Sequence, residues 1–589
     1  MPSPTSAPTP TFTPTPKTLT VCLPDEPDSL YLYGETDSAA QHIWEAIYDG
    51  PVDNRTYAHQ PILLTELPSF TAGAAVVETV TVHAGERVLT TKGEVIELAP
   101  GVPVENASNQ HTIFDGDPIS MQRMVVTFTL QHDLYWSDGA LLTADDSVFS
   151  FELASDPASH TKKHIIERTA DYRAPDVRTV VWKSVPGFLD QFCYLNFWHP
   201  LPRHAWGDFS AAELLNVTVS TRRPLGWGPF VISEWIPGDH LTVVRNPIYF
   251  RAYQGLPHLD EITFRFIPNP TTLAEELLVG RCDVATHEAA EAVRAALPDP
   301  PEVETLSVYD ARWELMAFGI SPAPDYERPD LFEDVRVRQG IAQCIDRQAI
   351  AEQVAKPPAR VLHSYLPSEH PLYAGDELSV WEHDPVAGAT LLGAAGWRDD
   401  DADGVREAHG IPNIPDDAPF QIVYHTTGSP LRVQTAQLIQ TSLAECGIQL
   451  EVEILPPDTL FAPGPEGVLF GRRFDLAQFS WRAVPDPLCD LFLSSQIPDA
   501  GHWDRINFVG FIDDEYDTAC QAAQATFSGS AEYAAQHATP QRIFSVQLPV
   551  LPLFQCPKTT LVSGSVTGLA PDPTQASELW NIEQVDLQP

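Results

Sequence analysis

Basic residues are scarce. Lys and Arg number 35 against 80 Asp and Glu, a formal charge of −45. Phosphates would be repelled by that balance, which argues against a nucleic-acid or anionic-membrane surface. It does not identify a cationic ligand, because spread acidity also serves solubility. Long apolar runs are missing too: no stretch reaches the roughly 18 residues that a membrane-spanning helix needs. The eight cysteines include no C-x-x-C pair, so a zinc ribbon or thioredoxin-type site is not expected. No G-x-S-x-G, Walker A or G-x-G-x-x-G sequence occurs. HEAAE, His287 to Glu291, lacks the second histidine of a zincin helix. No repeat of fixed period is found.

What remains describes a large globular chain. At 589 residues it exceeds one core, and about two to four domains are expected. Hydrophobic residues make up 43%, ample for packing. Most of the 13 Trp, 16 Tyr and 27 Phe belong in cores, although a carbohydrate or peptide cleft would also use some. The cysteines read as buried free thiols, with one or two disulfides open if the chain is exported. PSPTSAPTPTFTPTP, Pro2 to Pro16, cannot bury a core and reads as an extended, semi-rigid spacer. Such a spacer holds a domain away from something. An export signal with a lipid-anchoring cysteine, trimmed from this chain, is the expectation.

Local patterns mix strands and helices. LTVCL, from Leu19, reads as a short strand, and Ala39 to Tyr48 as a helix. Phe70 to Gln122, rich in Thr, Val and Gly, reads as β structure with loops. Val126, Phe128 and Leu130 alternate with Thr127 and Thr129 as a strand. Ser137-Asp138-Gly139 is turn chemistry. Thr143-Ala144-Asp145-Asp146 then has the spacing of a helix N-cap, so its aspartates read as capping groups, with no chemistry of their own. Further strands are expected at 178–182, 241–245, 261–267, 449–454 and 474–479, and helices at 270–280, 335–354 and 431–447. Mixed elements without strict alternation suggest α/β lobes.

Several of these segments together resemble the family 5 extracellular solute-binding proteins of ABC importers, which include oligopeptide and dipeptide binders. LTVCLPDEPDSL is similar to the family's opening strand and P-x-S-L turn. VTFTLQHDLYWSDGALLTADDSVFSFE resembles its strand, W-S-D-G turn and T-A-D-D helix. GWGPFVISEWIPGDHLTVVRNPIYF, LDEITFRFIPNPTTLAEELLVGRCDVA, FEDVRVRQGIAQCIDRQAI and DPVAGATLLGAAGWRDDDADGVRE follow in the family's order. The resemblance implies an α/β, bilobal periplasmic-binding-protein type of fold, class II-like, with mixed sheets, a hinge and an extra β-rich subdomain. It implies a linker at 1–16, a discontinuous lobe I at 17–60, 180–288 and 541–589, an inserted subdomain II at 61–179, and lobe III at 289–540. It further implies a monomeric, extracytoplasmic, non-enzymatic receptor that closes on its ligand, with no cofactor, and a membrane permease as partner.

The same resemblance supplies site candidates. Thr36, Asp37 and Ser38 fall where peptide binders pair main chain with ligand. FSWRAVPDPLCDLF, Phe479 to Phe492, resembles the W-x-A-D-Y-x-x-P segment whose aspartate receives a peptide's α-ammonium. Here Val484 follows Ala483, so that aspartate is missing from its place; Asp486 is the nearby substitute. Trp481 and Arg482 join the candidates, Trp481 as a pocket wall. Asp399, Asp401 and Asp403 with Gly404 match the first half of an EF-hand loop, but Gly410 stands where its final Glu belongs. A solvated turn is the expectation there, with calcium a weak candidate. Three readings stay open: a peptide receptor, a receptor for an oligosaccharide or other polar solute, and an extracellular hydrolase or adhesion protein built on similar lobes.

Overall fold

The computed structural model describes residues 16–34, 37–296, 303–326, 328–329, 331–528 and 530–588. Four strands organise it: β1 (Thr18–Leu23), β2 (Val303–Phe318), β3 (Leu476–Arg482) and β4 (Val550–Ser563). They belong to one large mixed sheet. Its order runs Phe230–Ile236, His240–Arg245, Glu261–Phe266, β1, Val284–Ala285, β4, β2, β3, Gln421–Thr427, Gln449–Leu455, with Arg360–Val361 also pairing to β4. β1 runs parallel to both neighbours, and its two faces are buried in different clusters, Leu19, Val21 and Leu23 in one and Cys22 in another, which explains its mostly apolar sequence. A separate four-stranded antiparallel sheet forms from Ala75–Val82, Ile119–Thr129, Thr169–Asp176 and Thr179–Ser184.

Two cores flank the sheet's middle. One gathers β1, Ile43, Phe128, Trp182, Phe264 and Leu579; the other gathers Trp313, Ile341, Tyr424, Phe479, Phe544 and Phe554. The antiparallel strands β2 and β4 run through both. Their register is regular from Val303↔Ser563 to Tyr309↔Pro557, slips, and resumes at Trp313↔Gln555. Leu306 packs on the first core and Ala311 lies in the second, so core membership changes at the slip. Along β4, Phe554 lies in the second core and Val562 in the first. Both changes fall inside strands, because β2 and β4 each serve both cores.

Local chemistry accounts for the helix ends. The helix Ala144–Ser155 starts after Thr143, as its T-A-D-D spacing predicts. A capping box closes its start: the Asp146 carboxylate accepts from the Thr143 N–H at 2.8 Å and from its hydroxyl at 3.3 Å. Asp146 also accepts from Trp136 Nε1 at 3.3 Å and the Arg203 N–H at 3.1 Å. Asp145 pairs with Arg203 at 2.9 Å. Both aspartates are therefore structural. The helix expected over 335–354 is broken: Val335–Cys344 ends, and Arg347–Val354 restarts where Asp346 accepts from the Ala349 N–H at 2.9 Å. The buried Arg347 donates to the carbonyls of Leu362, Trp381 and Pro552, joining this helix to β4.

The free-thiol reading of the cysteines is overturned. Cys22–Cys282, Cys344–Cys446 and Cys489–Cys520 are disulfides, leaving Cys193 and Cys556 as thiols. No pair is close in sequence, so spacing carried no sign of them.

Candidate functional site

A cavity of about 410 Å³ lies where segments of the two cores meet. The hairpin Val52–Arg55/Ala58–Pro61 delivers His59 from one side, and its turn delivers Tyr57. The segment 67–70 adds Leu67 and Phe70, and the turn at Cys193–Leu195 adds Tyr194. Opposite stand Leu372, Pro485, Asp486, Phe527 and Tyr533, the last opening helix Tyr533–Gln547.

Asp486 is the polar centre. Tyr194 donates its hydroxyl to the carboxylate at 2.8 and 2.9 Å, and Tyr533 donates at 3.3 Å. His59 Nε2 lies 3.1 Å from Oδ2. Burial, and then the charge of Asp486, push both tyrosine hydroxyls well above their ordinary range, so they stay protonated donors. The Asp486 side chain keeps 13% exposure.

Two histidines stand behind the lining, His370 against Leu372 and Pro485 and His537 against Tyr533. His370 Nδ1 accepts the Leu372 N–H at 3.0 Å, which leaves Nε2–H to donate to the carbonyls of Val484 and Pro485, both at 3.1 Å. Those bonds hold the chain that presents Asp486. His537 lies against Tyr533, ring centroids 4.4 Å apart, and neither of its nitrogens has a hydrogen-bond partner among the described residues. Burial pulls His370 and His537 down to about 4. Burial also holds the Cys193 thiol up at about 12, so the cavity wall carries no thiolate nucleophile.

The other sequence candidates lie elsewhere. Thr36 is outside the described residues. Asp37 caps the helix Ser38–Ile47: one carboxylate oxygen accepts the Ala40 N–H at 2.6 Å and the other the Asp28 N–H at 3.1 Å. Ser38 is that helix's first residue, and neither it nor Asp37 lines the cavity. Trp481 stands opposite Trp313 across β2 and β3 and packs on Phe479 and Phe508. Arg482 donates to the Thr574 carbonyl at 2.8 Å. Neither lines the cavity, so of this set Asp486 alone does. Asp399, Asp401 and Asp403 are exposed, with oxygens within 4.8 Å of one another, and each accepts a backbone N–H of its own loop. Sequence reading missed His59, Tyr194 and Tyr533. Tyr533 and His537 share a helix face at i, i+4, the one signal available for them.

Two cores joined by two long strands, with a cavity between their flanking segments, define a two-lobed binding protein. The comparisons are more specific. The profile described as bacterial extracellular solute-binding proteins, family 5 middle, matches residues 118–498. The chain belongs to that family, whose members are extracytoplasmic binding proteins. It is 27% identical over 405 residues to the oligopeptide-binding protein AppA of Bacillus subtilis (strain 168), covering 66% of this chain and 67% of that one. The di/tripeptide-binding protein 2 of Pseudomonas aeruginosa (strain UCBPP-PA14) is 25% identical, covering 79% and 84%. Among solved structures, B. subtilis AppA in complex with a nonapeptide superposes with a TM-score of 0.62 at 20% identity, covering 98% of this chain and 100% of that one. The ABC transporter substrate-binding protein CtaP of Listeria monocytogenes gives 0.67 at 16% identity, covering 97% and 99%.

Proposed function

We propose that this protein is the extracytoplasmic receptor of an ABC importer, capturing a peptide between its lobes and delivering it to a membrane permease. The observation that carries this reading is Asp486, held by His59 and Tyr194 from one side of the cavity and by Tyr533 from its own. A ligand ammonium that displaces one of these donors gains a carboxylate partner, and the displaced contacts couple its arrival to movement of the lobes. The names of the relatives favour peptides. The second reading, an oligosaccharide or other polar solute, is favoured by Val484 standing where peptide binders carry their aspartate.

We divide the lobes at the β2–β4 register slip, between Tyr309 and Trp313 on one strand and between Gln555 and Pro557 on the other. Residues 2–15 of the Pro2–Pro16 tract lie outside the described residues; its composition suits a receptor held off a membrane by a lipid anchor. The protein acts as a monomer and turns nothing over. The test has two readouts: mass spectrometry of what the purified protein releases on denaturation, and small-angle scattering on adding that compound back. A retained peptide whose return compacts the protein supports the reading. A retained sugar moves it to the second reading. No compaction with any retained solute defeats both.

A further inference from the structure

The register slip between β2 and β4 is filled by a third part of the chain. The buried Ala311 lies in the slip and pairs with no residue of β4. Its N–H donates to the Pro573 carbonyl at 3.1 Å, and its carbonyl accepts the Ala483 N–H at 2.9 Å. A buried N–H without a partner is costly, which fixes the Pro573 segment in place. Pro571 and Pro573 flank Asp572, and their locked φ angles make the segment stiff. Asp572 is buried, and both its carboxylate oxygens are used. One accepts the Thr574 N–H at 2.8 Å and the Thr574 hydroxyl at 2.6 Å. The other accepts the N–H and the hydroxyl of Thr56, at 2.8 and 2.9 Å. Thr56 sits in the turn of the hairpin that carries Tyr57 and His59. The Thr574 carbonyl accepts from the Arg482 guanidinium at 2.8 Å. Arg482 ends β3, just before the loop that holds Asp486.

We propose that Asp572, Pro573 and Thr574 form a brace across the hinge, and that Arg482 is a positioning residue acting through it; this step rests on the solute-receptor reading. Three pieces meet on the brace: β2 at the slip, the hairpin turn from one side of the cavity, and the end of β3 from the other. Rotation of the lobes about the slip turns the end of β3 against the hairpin. A hydrogen bond is lost by about 3.6 Å, so a shift of under about 1 Å breaks the Arg482–Thr574 contact. That contact is made in the arrangement where His59 and Asp486 meet at 3.1 Å, and it stabilises that arrangement over any in which it is stretched. The constraint reaches the cavity over short spans. Thr56 to His59, and Arg482 to Asp486, are each at most about 14 Å of extended chain. Arg482 does not line the cavity. Its loss frees the end of β3 while each core keeps its own packing.

Hydrogen exchange read by mass spectrometry, together with small-angle scattering, tests this on protein stripped of retained solute. In Arg482→Met, peptides carrying Thr56, Ala311 and Ala483 should lose protection by about tenfold or more, the scale of one lost charge-assisted hydrogen bond. Peptides from β1 and Tyr424 should keep theirs, and the radius of gyration should rise. Arg482→Lys keeps a donor and should fall between the Met variant and the unaltered protein; it carries the test if the Met variant does not fold. Unchanged protection at Thr56 overturns the brace, because the bonds from β3 to the hairpin would then not act together. Protection lost evenly through both cores also overturns it, since Arg482 would then serve stability alone. So does an unchanged radius of gyration, which would leave the lobes indifferent to the contact. Compaction of the unaltered protein by the solute it retains is read separately. Its absence removes the receptor reading, while the exchange pattern still decides the brace.

Discussion

Removing the Cys344–Cys446 disulfide should loosen one lobe and spare the other. The bond joins the end of helix Val335–Cys344 to the residue that closes helix Pro430–Glu445, both inside the second core. It closes a loop of 102 residues, which on the chain-entropy account is worth about 4.7 kcal/mol. Cys344→Ala with Cys446→Ala should lower stability by about that amount, a fall of roughly 10–20 °C in the melting transition of a lobe this size. Hydrogen exchange read by mass spectrometry locates the loss. Peptides from Ile341, Tyr424 and Phe479 should lose protection by about three orders of magnitude, while those from β1 and Phe264 keep theirs. Removing Cys489–Cys520, with a separation of 31, should cost less, about 3.7 kcal/mol by the same relation. Equal losses in both cores, or a shift below about 1 kcal/mol, would refute the separation into two cores as well as the entropic estimate.

Three further outcomes are expected. His370 and His537 sit at about 4 where the unfolded chain titrates near 6.5. Their contribution is therefore complete above about pH 6.5 and is lost as pH falls toward 4, at most about 3 kcal/mol each; a variant with His370→Gln and His537→Leu should show a flatter stability profile across that window, and an unchanged slope would contradict the burial argument. Arg347→Met strands the carbonyls of Leu362, Trp381 and Pro552 and should cost about 3–5 kcal/mol in denaturant unfolding; a cost below about 1 kcal/mol would mean that water replaces the guanidinium. Asp146→Ala should cost about 3 kcal/mol through the lost cap and the stranded Trp136 N–H, with ligand affinity unchanged; a large change in affinity would give Asp146 a part in binding after all.

Much of the fold was legible because its signals are local. Thr143 to Asp146 announced a helix start from four adjacent residues, and the alternation around Phe128 announced its strand. The break at Ile345-Asp346 was legible too, since an aspartate before a helical run caps it, but the apolar stripe Val337, Ile341, Ile345 was read straight through. The disulfides were not legible: their partners lie 31 to 260 residues apart, and spacing says nothing over such distances. The site was half legible. Asp486 could be reached through the family segment around it, but what defines its chemistry comes from Tyr194, 292 residues away, and His59, 427 residues away. Only the folded sheet brings them together. The Asp37 carboxylate has a role that the reading of its loop did not give: it caps the helix that follows.

The most direct test is an experimental structure of the protein with the solute it retains. The account predicts ligand density in the cavity between Tyr194 and Tyr533, with a positively charged group against the Asp486 carboxylate. Density instead in the larger cavity of about 670 Å³ beside Arg312, Glu314 and Arg432 would contradict it, because that ligand would meet the hinge strands and leave Asp486 untouched.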